Sequence, residues 1–562
     1  MTSLVLGPML RHVDHTSATI WVETDDPCTV SVLDAEQRTF QVGDRHYALV
    51  CVEGLEPGSS TPYEVRLDGK VEWPPADTHF PRPRIRTLQP GRAVRLAFGS
   101  CRYASPLSVT SDGRYGTDAL DSYAREIAGA PDDQWPDGLL LLGDQVYADE
   151  TSPLTQDTIR RRRDVTKPPY LEVANFAEYA ELYNESWGDP LVRWLYATVP
   201  TAMIFDDHDI HDDWNTSAVW RERMKRTSWW QERISGGLAA YWVYQHLGNL
   251  SPAALAEDEL YQKVCAADGD VGPMLHDFAA EADREADGEK GYRWSYRRDF
   301  GPVRLVVVDS RCGRILDEGD RSMVSRSEAA WIEAQLSDVD GDPIDHLLIA
   351  TSLPWLLPRA VHDMESWNEA LCAGSRGPRL ATLGEKVREA ADLEHWAAFR
   401  RSFDWLAGAI EAVARGGGAS DGLPSEQSET ASDGNRPPAT VLVLSGDVHH
   451  QYVAEARWRR PVDSRVYQLV QSPVHHSVPF SQRSIFRLGW SRLLERVTTT
   501  LGRWGKVPPV PLSWSKVAGP YFGNSLGLLV LDGRTASFSL QRAVTTHQQE
   551  DRMELVTDLA LT

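Results

Sequence analysis

The chain has 562 residues, 42% hydrophobic and 25% charged, the composition of a globular protein with length for roughly two to four domains. Its formal net charge of −23 argues against a nucleic-acid scaffold as partner, because phosphate backbones favour basic surfaces. The 6 cysteines form neither a disulfide framework nor a zinc-knuckle spacing, and no apolar run reaches the length of a transmembrane segment.

The opening stretch MTSLVLGPMLRHVDHTSATIWVE has no basic region followed by a long apolar run, and no twin-arginine pair. The expectation is therefore no signal peptide and a cytoplasmic location with reduced thiols. Residues 1–88 carry short segments (SATIWVET, CTVSVLD, YALVCVEGL, TPYEVRLDG) in which apolar and polar residues alternate between Gly, Pro and Asp clusters. That pattern predicts an antiparallel sandwich with one face of each sheet buried. The stretch resembles a fibronectin-III or immunoglobulin-like domain. His12 and His15, in HVDH, read as part of an exposed loop, and PRPRIRTLQPGR reads as a proline-stiffened linker.

From Val94 the pattern changes to long apolar runs separated by helical stretches, which predicts one α/β unit over 94–562. The runs are VRLAFGSC, LLLLGDQVY, AMIFDDHDIHDDW, VRLVVVDSR, HLLIATSLPW and VLVLSGDVHH. Residues 217–293 form a Trp-rich helical insertion whose aromatic side chains read as helix packing. Residues 415–438 are Gly/Ser/Pro-rich and predict a flexible surface loop. Residues 483–506 combine apolar residues at helical spacing with six basic residues and one acid, a candidate interfacial helix for contact with a membrane surface. NSLGLLVLDGRTASFSLQ predicts a hairpin turning at Asp532-Gly533.

Four apolar runs end in groups able to ligate metal. They supply Cys101; Asp144 and Tyr147; Asp206, Asp207, His208 and Asp209; and Asp447, His449 and His450. Ligands gather outside the carboxyl ends of strands in open α/β sheets, so these groups are expected to converge. Converging anions repel unless a cation sits among them, and several anionic ligands point to more than one ion. A phenolate from Tyr147 beside a thiolate from Cys101 favours ferric iron in one position. Carboxylates at the second suit calcium, manganese, magnesium or zinc. Two ions about 3.5–4 Å apart can hold a bridging hydroxide and the oxygens of a phosphate ester, a geometry for in-line hydrolysis. No Walker-type phosphate cradle and no serine-nucleophile elbow is present to support a covalent route.

GSC, GDxxY, DDHD with a following Trp, and GDVHH occur in that order, and the set resembles the PhoD-type alkaline phosphatase family of metallophosphoesterases. The resemblance runs from Val94 to the C-terminus. It implies an α/β fold, with a metallophosphatase-type central β-sandwich flanked by helices and preceded by the all-β sandwich. It further implies hydrolysis of phosphate mono- or diesters with release of inorganic phosphate. Carried over motif by motif, it makes Cys101, Tyr147 and His449 ligands of iron, Asp144 a bridging carboxylate, and Asp207 and Asp447 ligands of a second ion, calcium in the family. His208 takes the place of the histidine that protonates the leaving oxygen, a contribution of about 10²–10⁴-fold. Arg102 and Arg311 are candidates either for holding phosphate oxygens or for pairing with the local carboxylates.

The chain departs from the family in lacking a twin-arginine signal, in carrying Asp212 and Asp213 where asparagines are frequent, and in the 217–293 insertion, expected to roof the site. His475 and His476 are expected near the same edge in supporting roles, and Cys312 as a packing residue. Two alternatives remain open: a phospholipase-like phosphodiesterase working at a membrane surface through 483–506, and a non-catalytic binding protein with a retired phosphatase domain.

Overall fold

The computed structural model describes residues 2–104, 115–288, 291–336, 343–416, 436–477, 483, 486–546 and 551–562. Residues 417–435 of the expected 415–438 loop lie outside the described residues.

The leucine run becomes the strand Gly138–Leu142, in which every residue is buried. It needs no alternation because it lies inside a sheet covered on both faces. Among the described residues that sheet has six strands: Thr201–Ile204, Gly138–Leu142, Val94–Gly99, Ser525–Asp532, Thr535–Thr545 and Asp551–Ala560, in spatial order. The first three are parallel neighbours, so their carboxyl ends emerge side by side. The predicted hairpin at Asp532-Gly533 supplies the fourth and fifth strands, the fourth running antiparallel to Val94–Gly99.

A second sheet of seven strands takes the order Tyr296–Phe300, Val303–Val308, His346–Thr351, Thr440–Ser445, Arg465–Val470, Gln451–Trp458, Leu512–Tyr521. Its strands split by parity, as the two-residue repeat of a strand requires. Leu305, Val307, Leu348, Leu442 and Leu444 share a core with Leu96, Phe98, Leu526 and Leu529 of the first sheet. Val306, Val308, Ile349, Val441 and Val443 face the helix Arg400–Ala414 through Phe403, Leu406 and Ile410. On the other side of the molecule, Leu120, Tyr123 and Ile127 of the helix Ala119–Ala128 join the core of the first sheet. The chain is thus a mixed α/β protein with a helix-flanked central β-sandwich, as the resemblance implied.

The N-terminal region is all-β, with two four-stranded sheets around Leu10, Ile20, Val22, Val30, Val50 and Val65. One expectation fails here. The strand Ala18–Thr24 is buried along its whole length instead of on alternate residues. Ile20 and Val22 fill the sandwich, while Trp21 on the opposite face meets Trp187 and Tyr244. Nor is the proline-rich stretch a free linker. Arg84–Arg86 pairs with Ser60–Pro62, and buried Arg86 donates to the carbonyls of Trp135 and Pro136. His12 is buried beside Asp14, and His15 lies 2.9 Å from the Leu88 carbonyl through Nδ1.

The 217–293 insertion is mostly a buttress. Its helix Trp230–Tyr241 continues into a π-helical turn, Trp242–His246, whose Tyr244 and Gln245 carbonyls accept from Arg11. Trp220, Trp230 and Trp242 are buried, as expected for packing. The insertion reaches the rim of the site through Trp229 and Trp230, whose rings meet that of His211.

Candidate metal centre

Three parallel strands of one sheet and Thr440–Ser445 of the other release their chains at a common edge. There the backbone is forced into the left-handed region at Cys101 (φ 57°), Asp144 (φ 48°), Asp447 (φ 64°) and His449 (φ 49°). Non-glycine residues held there cost about 1–3 kcal/mol each and tend to mark functional sites. Gly143 precedes Asp144 at φ 105°, and a Cβ on it would lie 2.6 Å from Cβ of Asp206, so glycine is required twice over. The two sheets touch at Ser100, whose Oγ accepts from the Asp447 amide at 3.1 Å.

Donor oxygens of Asp144, Asp206, Asp207 and Asp447 all lie within 4.8 Å of one another. Cys101 lies at the side of this group, its thiol 3.3 Å from Asp144 Oδ2. The rings of Tyr147 and His449 both stack on that of His476, with centroids 5.3 Å and 4.4 Å from it. Asp144 Oδ1, Asp206 Oδ2 and the Tyr147 hydroxyl are buried without a hydrogen-bond partner among the described residues. Buried polar atoms are normally paired, so these orphans need an explanation.

The charges point the same way. Burial first, then the neighbouring Asp206, pushes the Asp144 carboxyl far above the carboxylate range. Burial raises Asp206 and Asp207 too, although Arg311 opposes it. The thiol of Cys101 and the phenol of Tyr147 are driven far up by burial and by the adjacent anions. Burial would also raise Asp447, but the hydrogen bond and charge of His395 outweigh it and hold the carboxyl low. His449 is pushed down to about 3 by burial and by His476, which keeps its imidazole neutral, the form that ligates metal. Oxygen donors at this spacing, with unpaired lone pairs and too much negative charge, fit hard cations; the Cys101 thiol adds a softer donor beside Asp144.

Both arginines singled out from the sequence are already engaged. Arg311, fully buried, bonds Asp206 and Glu394 and lies 3.3 Å from Asp207. It is a counter-ion built into the acidic floor. Arg102 is held by Asp118 at 2.9 Å and by the Ser186 carbonyl. For both, the pairing with local groups that the sequence left open is the arrangement present.

His208 stands beside the cluster, its Nδ1 2.9 Å from Asp149 Oδ1. Burial disfavours its charged form, but Asp149 more than reverses that and holds the imidazolium far above its ordinary range. The ring also packs on Tyr147, with centroids 4.7 Å apart. Asp209 has a different task. Its carboxylate accepts from the amides of Asp144, Gln145, Val146 and Asp206, tying together the loops that carry Asp144 and Asp206. Asp212 and Asp213 sit at the rim, raised to about 7 and about 8 by burial and then by neighbouring acids.

Three participants escaped the sequence reading. Asp149 lies two residues beyond the LLLLGDQVY run and is the next acid after Tyr147. His395 bonds Asp447 Oδ2 at 3.2 Å and Glu365 Oε1 at 2.8 Å. His395 and Glu365 sit in helical surroundings with no motif, so only the fold brings them in. His475 is structural, its Nδ1 2.6 Å from the Tyr103 carbonyl. Cys312 is a buried packing residue.

A family model described as PhoD-like phosphatase matches residues 109–493, and one described as a domain of unknown function (DUF7800) matches residues 1–85. Comparison with curated proteins returns no match. Among solved structures the chain is similar to PhoD, with 12% identity over 98% of this chain and 88% of that one and a TM-score of 0.54. It also matches the purple acid phosphatase PPD1 from yellow lupin (Lupinus luteus) seeds, with 10% identity over 98% of this chain and 73% of that one and a TM-score of 0.48. At such identity the likeness to PhoD is one of fold.

Proposed function

The chain belongs to the PhoD-like phosphatase family, and from that premise we propose that its acidic cluster hydrolyses phosphate mono- or diesters with His208 as the proton donor. Metal-dependent phosphoester hydrolysis is the activity class of the family. The observation that carries the reading to this chain is the convergence of Asp144, Asp206, Asp207 and Asp447 at a site with orphaned buried oxygens. Such a charge cluster is costly to fold without a cation and argues against a retired domain.

Cys101, Tyr147 and His449 would hold iron, Asp144 would bridge, and Asp207 and Asp447 would hold calcium, with manganese, magnesium or zinc as alternatives. When bound, the ions supply Lewis acidity that polarises phosphoryl oxygens and offsets charge developing on them. The protein's own part is orientation and proton delivery. Asp149 fixes the His208 ring through Nδ1, which leaves Nε2 as the nitrogen able to give its proton to a departing alkoxide. Arg311 pairs with Asp206, Asp207 and Glu394, while its buried Nη2 has no hydrogen-bond partner among the described residues.

The test combines metal analysis with turnover of a phosphoester panel. His208→Ala is expected to lower turnover by about 10²–10⁴-fold with metal content nearly intact. Asp144→Ala is expected to lose both. Iron near stoichiometry with a visible charge-transfer band supports the Cys101 and Tyr147 ligation. An active Asp144→Ala enzyme, or a His208→Ala enzyme stripped of metal, overturns the assigned roles.

A further inference from the structure

The helix Arg492–Gly505 is mounted the wrong way round for a surface helix. A surface helix normally turns its apolar stripe inward. Here the buried positions are Thr498, Gly502 and Gly505. Thr499 Oγ1 donates to Asp363 at 2.6 Å, and a Cβ on Gly505 would lie 2.6 Å from the ring of Trp367. A small, polar face therefore packs on the helix Arg359–Cys372. The outward face carries Leu493 at 73% exposure, Val497 at 51%, Leu501 at 38% and Trp504 at 46%. Their spacing places them in one row. Leu488, at 59% exposure, lies just ahead of it.

The row has a basic border. Arg487, Arg492, Arg496, Arg503 and Lys506 are exposed, and none of them has a carboxylate partner among the described residues. Glu495 is the single acid in 483–506. In a chain of net charge −23 this is a local reversal of sign.

We propose that this helix docks the protein on an anionic lipid surface. The row of large apolar side chains would enter the headgroup boundary, and the arginines would meet lipid phosphates. A second copy is disfavoured as occupant, because a two-fold contact would set this cationic border against itself. The helix also leads back to the site. Phe486 stacks on His450 at 4.4 Å between centroids, and His450 follows His449 directly. The inference rests on the orientation and charge of the helix and does not require the phosphatase reading.

The experiment is flotation of the full-length, metal-loaded protein with phosphatidylcholine vesicles, with and without phosphatidylglycerol. Binding is expected only with phosphatidylglycerol and is expected to weaken with added salt. Leu493→Asp combined with Trp504→Asp should abolish it, and each of Arg492→Gln and Arg496→Gln should weaken it about fivefold. Turnover of a soluble phosphoester should be unchanged in these variants, which separates this result from failure of the catalytic reading. Failure of the parent protein to float, or flotation unaltered in the double variant, overturns the proposal. So does a dimer in sedimentation that Leu493→Asp dissociates, since a second copy would then cover the face.

Discussion

At the scale of single residues, Asp149 tests whether His208 is a positioned group or a free one. Its carboxylate is buried, contacts His208 Nδ1 at 2.9 Å, and also accepts from the Asp212 amide at 2.6 Å. It touches none of the clustered donors, so it acts through the imidazole. Asp149→Asn keeps the shape and removes the charge. The expected result is a fall in turnover of about 10–100-fold with metal content unchanged, read by steady-state kinetics and elemental analysis on one sample. Equal losses of metal and rate would move Asp149 into the ligand network. The sequence made Asp144, Tyr147, Asp207, His208, Asp447 and His449 visible because each follows a run of buried residues, and a polar group leaving such a run must stand at a sheet edge. It could not say what Arg102 and Arg311 do. An arginine takes its role from carboxylates remote in the chain, here Asp118 for one and Asp206 and Glu394 for the other. His395 was hidden for the same reason.

At the scale of elements, strands inside the sheets were legible and connections were not. Gly138–Leu142 and Thr440–Ser445 are buried at every position, and an unbroken apolar run is what such strands require. Ala18–Thr24 broke the rule of alternation because a second layer, which no local pattern announces, covers its outer face. The turn after Gly138–Leu142 carries a test. Gly143→Ala places a methyl group 2.6 Å from Asp206 Cβ at a φ of 105°. The control is Gly269→Ala, with a similar φ of 97° but open space around its Cβ. The control is expected to cost about 1 kcal/mol from backbone strain alone. Gly143→Ala should cost at least twice as much and lower metal affinity, because the methyl displaces Asp206. Denaturant midpoints and metal titration of both variants decide; equal costs would mean that the loop absorbs the methyl freely.

At the scale of the whole molecule, the all-β region and the sandwich share one interior. Leu6, Met9, Trp21 and Tyr47 belong to the same core as Leu139, Leu442 and Leu529. Arg11, fully buried, crosses this interior to the carbonyls of Thr201 at 3.0 Å, Tyr244 at 2.8 Å and Gln245 at 2.6 Å. Gln245 in turn donates to Asp209 at 3.2 Å, so the N-terminal sheet is joined through one short path to the loops of the acidic cluster. Loosening of this interior should therefore be felt at the site, and pH supplies a way to loosen it. His246, on the same π-helical turn, is enclosed by Tyr241, Tyr292 and Trp294, and burial followed by the charge of Arg11 lowers it to about 3. In the unfolded chain it takes up a proton near its ordinary value of about 6.5. Between those two values the unfolded state binds more protons than the folded one, so stability falls as pH falls, by about 1.4 kcal/mol per pH unit for this group. It is fully present above the unfolded value. His246→Gln should reduce the slope of unfolding free energy against pH by about that amount between roughly pH 6 and pH 4. Urea unfolding across that range measures it. An unchanged slope would mean that His246 is protonated where it stands, and that the interior joining the two regions is not closed to water.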